Sequence, residues 1–320
     1  MATDTDMIAV VADETAAGQL RLQRVLRPVP KPFEALIRVG AVSLNRGEVK
    51  TALTTPRGFR PGWDFAGVVE APAADGSGPV AGARVVGLAP SAAWGEYVVA
   101  LVPALAEIPQ GVTLADAAAL PVAGLTARAA LAIGPPLPGQ KVLITGASGG
   151  VGVFAIQLAA VQRADITAAI RNPANESLVR SLGANQVAVG EGLDGAAPYG
   201  PFDLILESVG GTALATALGL LAPGATCVLY GASQSAMTTF DASRFRIGGT
   251  SLYGLVMQYE LARTPPSIGL AELLALNRQK RLVSVIGVRA PLADIARIAG
   301  DLIARRFAGK AVLIVDPTLA

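Results

Sequence analysis

Between residues 141 and 233, short, predominantly apolar segments alternate with segments built from helix formers. "KVLITG" (141–146), "ADITAAIR" (164–171), "FDLILESVGG" (202–211) and "ATCVLYGAS" (225–233) read as strands. "VGVFAIQLAAVQR" (151–163), "NESLVRSLGA" (175–184) and "TALATALGLLAPG" (212–224) read as the helices between them. A strand whose apolar residues run consecutively must be covered on both faces, and here only the intervening helices can provide the cover. That pattern predicts an α/β fold with a doubly wound parallel sheet.

The rest of the chain follows another rule. "EALIRVGAVSL" (34–44), "WDFAGVVEAP" (63–72), "RVVGLA" (84–89) and "GEYVVAL" (95–101) are strand candidates separated by turns, which suggests a small barrel or sandwich. "TLADAAALPVAGLTARAALAI" (113–133) reads as helical, with Thr113 as N-cap. Two amphipathic helices, "GLAELLALNR" (269–278) and "LADIARIAGDLIARR" (292–306), and a last strand, "KAVLIVD" (310–316), complete the chain. A length of 320 residues leaves room for two domains.

The chain contains no histidine and one cysteine, Cys227. The commonest general base is therefore missing, and a Cys/His zinc centre or a Ser-His-Asp machine cannot be assembled from this chain. A lone thiol fits a reducing, cytoplasmic setting. A net charge of +2 without Lys/Arg blocks gives no reason to expect nucleic acid or a membrane surface as a partner. The opening "MATDTDMIAV" lacks the basic start of a leader, and no apolar run is long enough to span a bilayer.

One stretch points to a cofactor. In "VLITGASGGVG" (142–152) a strand runs through small residues into a helix, as a dinucleotide-binding turn requires. Ser148, Gly149, Gly150 and Val151 would bring free N–H groups and the positive end of the helix to a pyrophosphate, while Gly152 lets helix and strand approach. Ala147 stands where the first glycine is usual. The second strand ends in Arg171 and Asn172 rather than in an acid. A guanidinium suits a 2′-phosphate, so NADPH is expected over NADH. Val209, Gly210, Tyr230, Gly231 and Ser233 end the next strands at the carboxyl edge, where open α/β sheets bind ligands.

"AVSLNRGEV", "RPGWDFAGVV", "LPVAGLTA", "VLITGASGGVGVFAIQLA", "SLGA", "DLILESVGG" and "GKAVLIV", in this order, resemble the zinc-independent medium-chain dehydrogenase/reductases of the quinone oxidoreductase-like kind. The resemblance covers nearly the whole chain. It implies a GroES-like β-barrel domain from residues 1–118 and 266–320, and a Rossmann domain from 119–265. Asn45 and the pair Trp63–Asp64 stand where zinc-dependent relatives carry metal ligands, which implies a site without metal. The resemblance further implies that Asn45 contacts the nicotinamide ribose beside the substrate, and that Thr126 lies near the carboxamide. It brings the backbone of Leu252 and Tyr253 to the same group and lets Trp63 line the substrate pocket. Residues 46, 48 and 50 (Arg, Glu, Lys) depart from the family's usual Asp and tyrosine, which bears on the substrate.

The implied activity is NADPH-dependent hydride transfer to a quinone or an α,β-unsaturated carbonyl, a small hydrophobic partner. The alternative is an NADPH-binding protein without turnover. A short-chain dehydrogenase needs a lysine four residues after a tyrosine, and none of the five tyrosines has one. Relatives are often homodimers, and the apolar "TSLYGLVMQ" (250–258) is an edge-strand candidate for that contact.

Overall fold

The computed structural model describes residues 5–319; the first four residues, on which the leader reading partly rests, lie outside them. The described chain divides into two compact units. One takes the residues up to Leu125 and those from Thr264 onward, the other Thr126–Arg263.

The first unit opens with a hairpin of β1 (Asp6–Ala12) and β2 (Leu20–Leu26). Then come β3 (Glu34–Leu44), α1 (Arg46–Thr54), β4 (Asp64–Ala71), β5 (Arg84–Leu88), β6 (Tyr97–Leu101), β7 (Leu105–Glu107) and α2 (Leu114–Ala118). Strand β3 is buried at nearly every position and pairs antiparallel with both β4 and β6. The approach of β3 and β4 depends on Gly67, where any Cβ would overlap the carbonyl oxygen of Arg38.

The single helix expected over 113–133 is instead two, α2 and α3 (Pro121–Ile133). Proline disfavours helical geometry in the residue before it but suits the first position of a new helix, so the chain breaks at Leu120 and restarts. Thr113 does cap α2, its hydroxyl oxygen accepting the Asp116 N–H at 3.0 Å.

The second unit holds β8 (Lys141–Ile144), α4 (Gly150–Val161), β9 (Asp165–Ile170), α5 (Glu176–Ser181), β10 (Gln186–Val189), β11 (Phe202–Glu207), α6 (Gly211–Leu218), β12 (Leu221–Leu229), α7 (Ala242–Phe245), β13 (Ser251–Gly254) and α8 (Met257–Arg263). The sheet order is β10-β9-β8-β11-β12-β13, every pair parallel. This is the doubly wound order in which the first strand lies at the centre and the order reverses between β8 and β11. Leu143, Phe202, Ile205 and Cys227 are buried in its core. Helix α6 stops at Leu218, capped by Gly219, and not at residue 224; the chain turns directly into β12, four residues ahead of the expected start at Ala225. Strand β11 ends at Glu207, so Val209 and Gly210 lie just beyond it rather than in it.

The chain then returns to the first unit with α9 (Pro266–Arg278), β14 (Ile286–Pro291), α10 (Ile295–Ile303) and β15 (Lys310–Ile314). Strand β15 pairs antiparallel with β3, Leu313 opposite Val42, and completes a seven-stranded mixed sheet over a core that includes Ile37, Phe65, Trp94, Ile298 and Leu313. Strand β14 alternates half-buried and exposed residues, so it shows no apolar run. No helix among the described residues is long and apolar enough to cross a membrane.

Candidate active site

In the second unit, the turn after β8 is shaped by two glycines. Gly146 has φ +57°, which an L side chain seldom adopts, and a Cβ there would lie 2.8 Å from Ser208 Oγ. Gly146 therefore makes the tight turn, and Ala147, buried just after it, is free to be alanine. At Gly152 a Cβ would fall 2.6 Å from Ala147 Cα, Ala147 O and Gly146 O, so the first turn of α4 closes onto this backbone only without a side chain. Gly149 precedes α4 and no side chain caps the helix, which leaves its leading N–H groups facing outward with Gly150 and Val151. Ser148 Oγ accepts a 3.2 Å hydrogen bond from Asn175 Nδ2, a partner that the motif alone did not reveal.

Arg171 follows the last residue of β9, is exposed, and forms no ion pair or hydrogen bond among the described residues. Asn172 beside it is already engaged, Oδ1 accepting the Ala174 N–H at 3.0 Å.

At the ends of β8 and β11 lies a group that sequence reasoning passed over. Glu207 is fully buried. One carboxylate oxygen accepts from Val209 N–H at 2.8 Å and from the Thr145 hydroxyl at 3.3 Å; the other accepts from Gly210 N–H at 3.0 Å. Burial holds its pKa above the usual carboxylate range, against these donors. Glu207 thus sets the loop carrying Val209 and Gly210. Past β12, Gly231 packs against the Ser208 backbone, and the Ser233 N–H donates to Ser208 O at 3.0 Å. The Tyr230 hydroxyl is buried beside Ser208 without a well-formed hydrogen bond. Burial pushes the Cys227 thiol well up, so it stays protonated and unreactive. Leu252 and Tyr253 lie one strand further out, paired with Cys227 and Val228. The Tyr253 hydroxyl donates to Glu260 at 2.8 Å and so faces α8, leaving only its backbone for the sheet. Thr126, at the start of this unit, is buried within α3.

In the first unit, Asn45 follows β3 and is the N-cap of α1. Its Nδ2 donates to Asp64 Oδ2 at 2.7 Å and to Glu48 Oε1 at 3.0 Å, and its Oδ1 accepts from Lys310 Nζ at 2.5 Å. Lys310, from β15, also donates to Leu44 O at 3.0 Å and lies 3.4 Å from Asp64 Oδ2. Asp64 accepts further from Ser43 Oγ at 2.7 Å and from the Val122 N–H at 3.0 Å. Glu48 accepts from the backbone of Asn45 at 2.6 Å and of Trp63 at 2.7 Å. Glu48, Asp64 and Lys310 are all buried, so two carboxyl groups lie around one ammonium, with Asp64 its ion-pair partner. Trp63, half-buried, lays its ring against Gly47.

Burial, and then the charge of Asp64, push Glu48 up to about 8. A carboxyl whose pKa is higher folded than unfolded stabilises the fold fully below the unfolded value and loses that contribution as pH rises through the folded value. The thermal midpoint is therefore expected to fall between pH 5 and pH 9. Glu48→Gln, which mismatches only the Trp63 N–H, should flatten that slope; calorimetry across the range checks it.

Sequence and fold comparisons agree with this geometry. Residues 150–272 match the zinc-binding dehydrogenase family model. The chain is 30% identical to a chloroplast envelope quinone oxidoreductase homolog of Arabidopsis thaliana, over 97% of this chain and 98% of that one. It is 37% identical to a chloroplastic quinone-oxidoreductase of Triphysaria versicolor, over 61% of this chain and 64% of that protein. A mycobacterial structure complexed with NADPH superposes with a TM-score of 0.86 at 27% identity, covering 96% of this chain and 99% of that one. With its GroES-like and Rossmann units, the chain belongs to the quinone oxidoreductase-like family of the medium-chain dehydrogenase/reductases.

Proposed function

We propose that the protein is an NADPH-dependent oxidoreductase that reduces a quinone or an α,β-unsaturated carbonyl. The observation that carries this reading is the side-chain-free cradle at Gly149 and Gly152, followed one strand later by an unpaired arginine instead of an acid. The residues fit the nucleotide. Ser148, Gly149, Gly150 and Val151 would hold the pyrophosphate on backbone N–H groups, and Arg171 with Asn172 the 2′-phosphate. Val209, Tyr230, Gly231 and Ser233 would line the nucleotide at the sheet edge. The backbone of Leu252 and Tyr253, Thr126 and Asn45 are assigned to the nicotinamide and its ribose, and Trp63 to the substrate.

NADPH supplies the hydride when bound. Reduction of a quinone or enone spreads the developing charge onto oxygen, and water can deliver the proton. A chain without histidine can support that chemistry by binding and orienting its reactants. Alcohol oxidation would instead require a base for the hydroxyl proton.

Nucleotide fluorescence titration tests the reading. Arg171→Ala should weaken NADPH binding roughly 10–100-fold, the worth of a charge-assisted contact, and leave NADH binding unchanged. Equal affinity of the wild type for both nucleotides would overturn the 2′-phosphate assignment. Tight NADPH binding without oxidation by any quinone or enone would make this a binding protein without turnover.

The exposed edge strand β13 is assigned to a second copy of the chain. Leu252 (42% exposed), Val256 (50%) and Tyr259 (74%) leave apolar surface beside its unpaired backbone. Light scattering after gel filtration should give a dimer, and Leu252→Lys a monomer.

A further inference from the structure

The chain has two tryptophans, and their indole N–H groups stand in opposite situations. Trp94 is fully buried, and its Nε1–H is sealed off without a hydrogen-bond partner among the described residues. Trp63 is half-buried, and its Nε1–H, equally without a partner among these residues, stays open to solvent. The Trp63 ring is nevertheless fixed. Its backbone N–H donates to Glu48 Oε2 at 2.7 Å, and its carbonyl oxygen accepts from the Ala89 N–H at 2.9 Å. The benzene edge abuts Gly47, where a Cβ would lie 3.4 Å from Cη2 and 3.6 Å from Cζ3. The pyrrole ring with its N–H is at the far end of the indole from that contact. Among the other side chains assigned to the nicotinamide and the substrate, Asn45 spends its amide protons on Asp64 and Glu48, and Tyr253 its hydroxyl proton on Glu260. Thr126 is buried and already partnered. Trp63 keeps a free donor, and an indole nitrogen can only donate.

We propose that Trp63 is a catalytic residue whose indole N–H donates to the carbonyl oxygen of the substrate. The proposal rests on the reductase function above and on the assignment of Trp63 to the substrate. When an enone takes a hydride at its β-carbon, the π electrons shift along the conjugated system and a pair collects on the carbonyl oxygen. The nicotinamide is left oxidised, and water then protonates the enolate. A donor fixed in place before that charge develops stabilises it without reorganisation. The contact strengthens as the oxygen becomes anionic, so its effect falls on kcat more than on KM.

The test begins with the free protein, ¹⁵N-labelled at tryptophan, with the Trp63 indole resonance identified by its loss in Trp63→Phe or Trp63→Leu. The Trp63 N–H should exchange with water at least about tenfold faster than that of Trp94. The carbonyl probe is 2-cyclohexenone or 1,4-benzoquinone, whichever the wild type reduces. At saturation, with NADP⁺ in place of NADPH so that no hydride is transferred, the probe should move the Trp63 resonance downfield and leave that of Trp94 unmoved. Trp63→Phe should lower kcat for the same probe about 100-fold, with the NADPH Kd from fluorescence within twofold of wild type. Exchange at Trp63 as slow as at Trp94 would overturn the proposal, even if the variants proved too unstable for kinetics. So would an unmoved Trp63 resonance in a protein that reduces the probe, or an unchanged kcat in folded Trp63→Phe. These three outcomes leave the reductase function standing; a wild type that reduces neither probe would overturn that function and this assignment with it.

Discussion

Gly152→Val is expected to reduce NADPH binding more than about 100-fold. The three atoms that a Cβ would meet, Ala147 Cα, Ala147 O and Gly146 O, are all backbone and all 2.6 Å away. No side chain can rotate aside to make room. The helix must instead withdraw from β8, taking its leading N–H groups with it. Even Gly152→Ala should bind markedly less NADPH. Gly300→Ala makes a useful contrast, because a Cβ there meets nothing within 4 Å in α10. That change should stabilise the fold by up to about 1 kcal/mol through helix propensity and leave NADPH titration unaltered.

Lys310→Met should cost about 3–5 kcal/mol of stability at neutral pH, the usual result of removing one partner from a buried ion pair. Methionine preserves most of the stem volume, so the loss reports charge more than packing. The variant should recover at acid pH. Lys310 is among the influences that hold Glu48 down, and without it the folded state binds a proton on Glu48 more tightly. Urea unfolding at pH 5 and pH 8 should show the gap to wild type widening with pH. A gap independent of pH would mean that the lysine contributes packing alone.

The features that were legible in the sequence are those written by local chemistry. Strands from Val142 to Leu229 carried continuous apolar runs, and Gly152 and Gly146 sit in a short motif whose spacing has a geometric meaning. The break at Pro121 was also written there, since proline restricts the residue ahead of it, but a run of alanines and leucines masked it. Lys310 was hidden for a different reason. A lysine at the start of an apolar strand looks like a solvated end, and its partner Asp64 lies 246 residues away. Glu207 likewise reads as the last residue of a strand until the loop N–H groups fold back onto it. Nothing near either residue in the chain announces the partners. Asn45 showed its importance through family resemblance, whereas the direction in which its amide points depends on residues from α1, β4 and β15.

The place of β15 bears on how the protein is made. Its pairing with β3 joins Ala41–Leu44 to Ala311–Ile314, so β3, already paired with β4 and β6, gains its third neighbour only after residue 314 has been made. The second unit is continuous from Thr126 to Arg263 and can fold while synthesis proceeds. A nascent chain arrested before residue 310 would therefore carry a finished Rossmann unit and an unfinished partner, with the buried acids Glu48 and Asp64 still lacking their ammonium. The β3–β15 pair joins segments on either side of the whole second unit, so it can close only after that unit has been made.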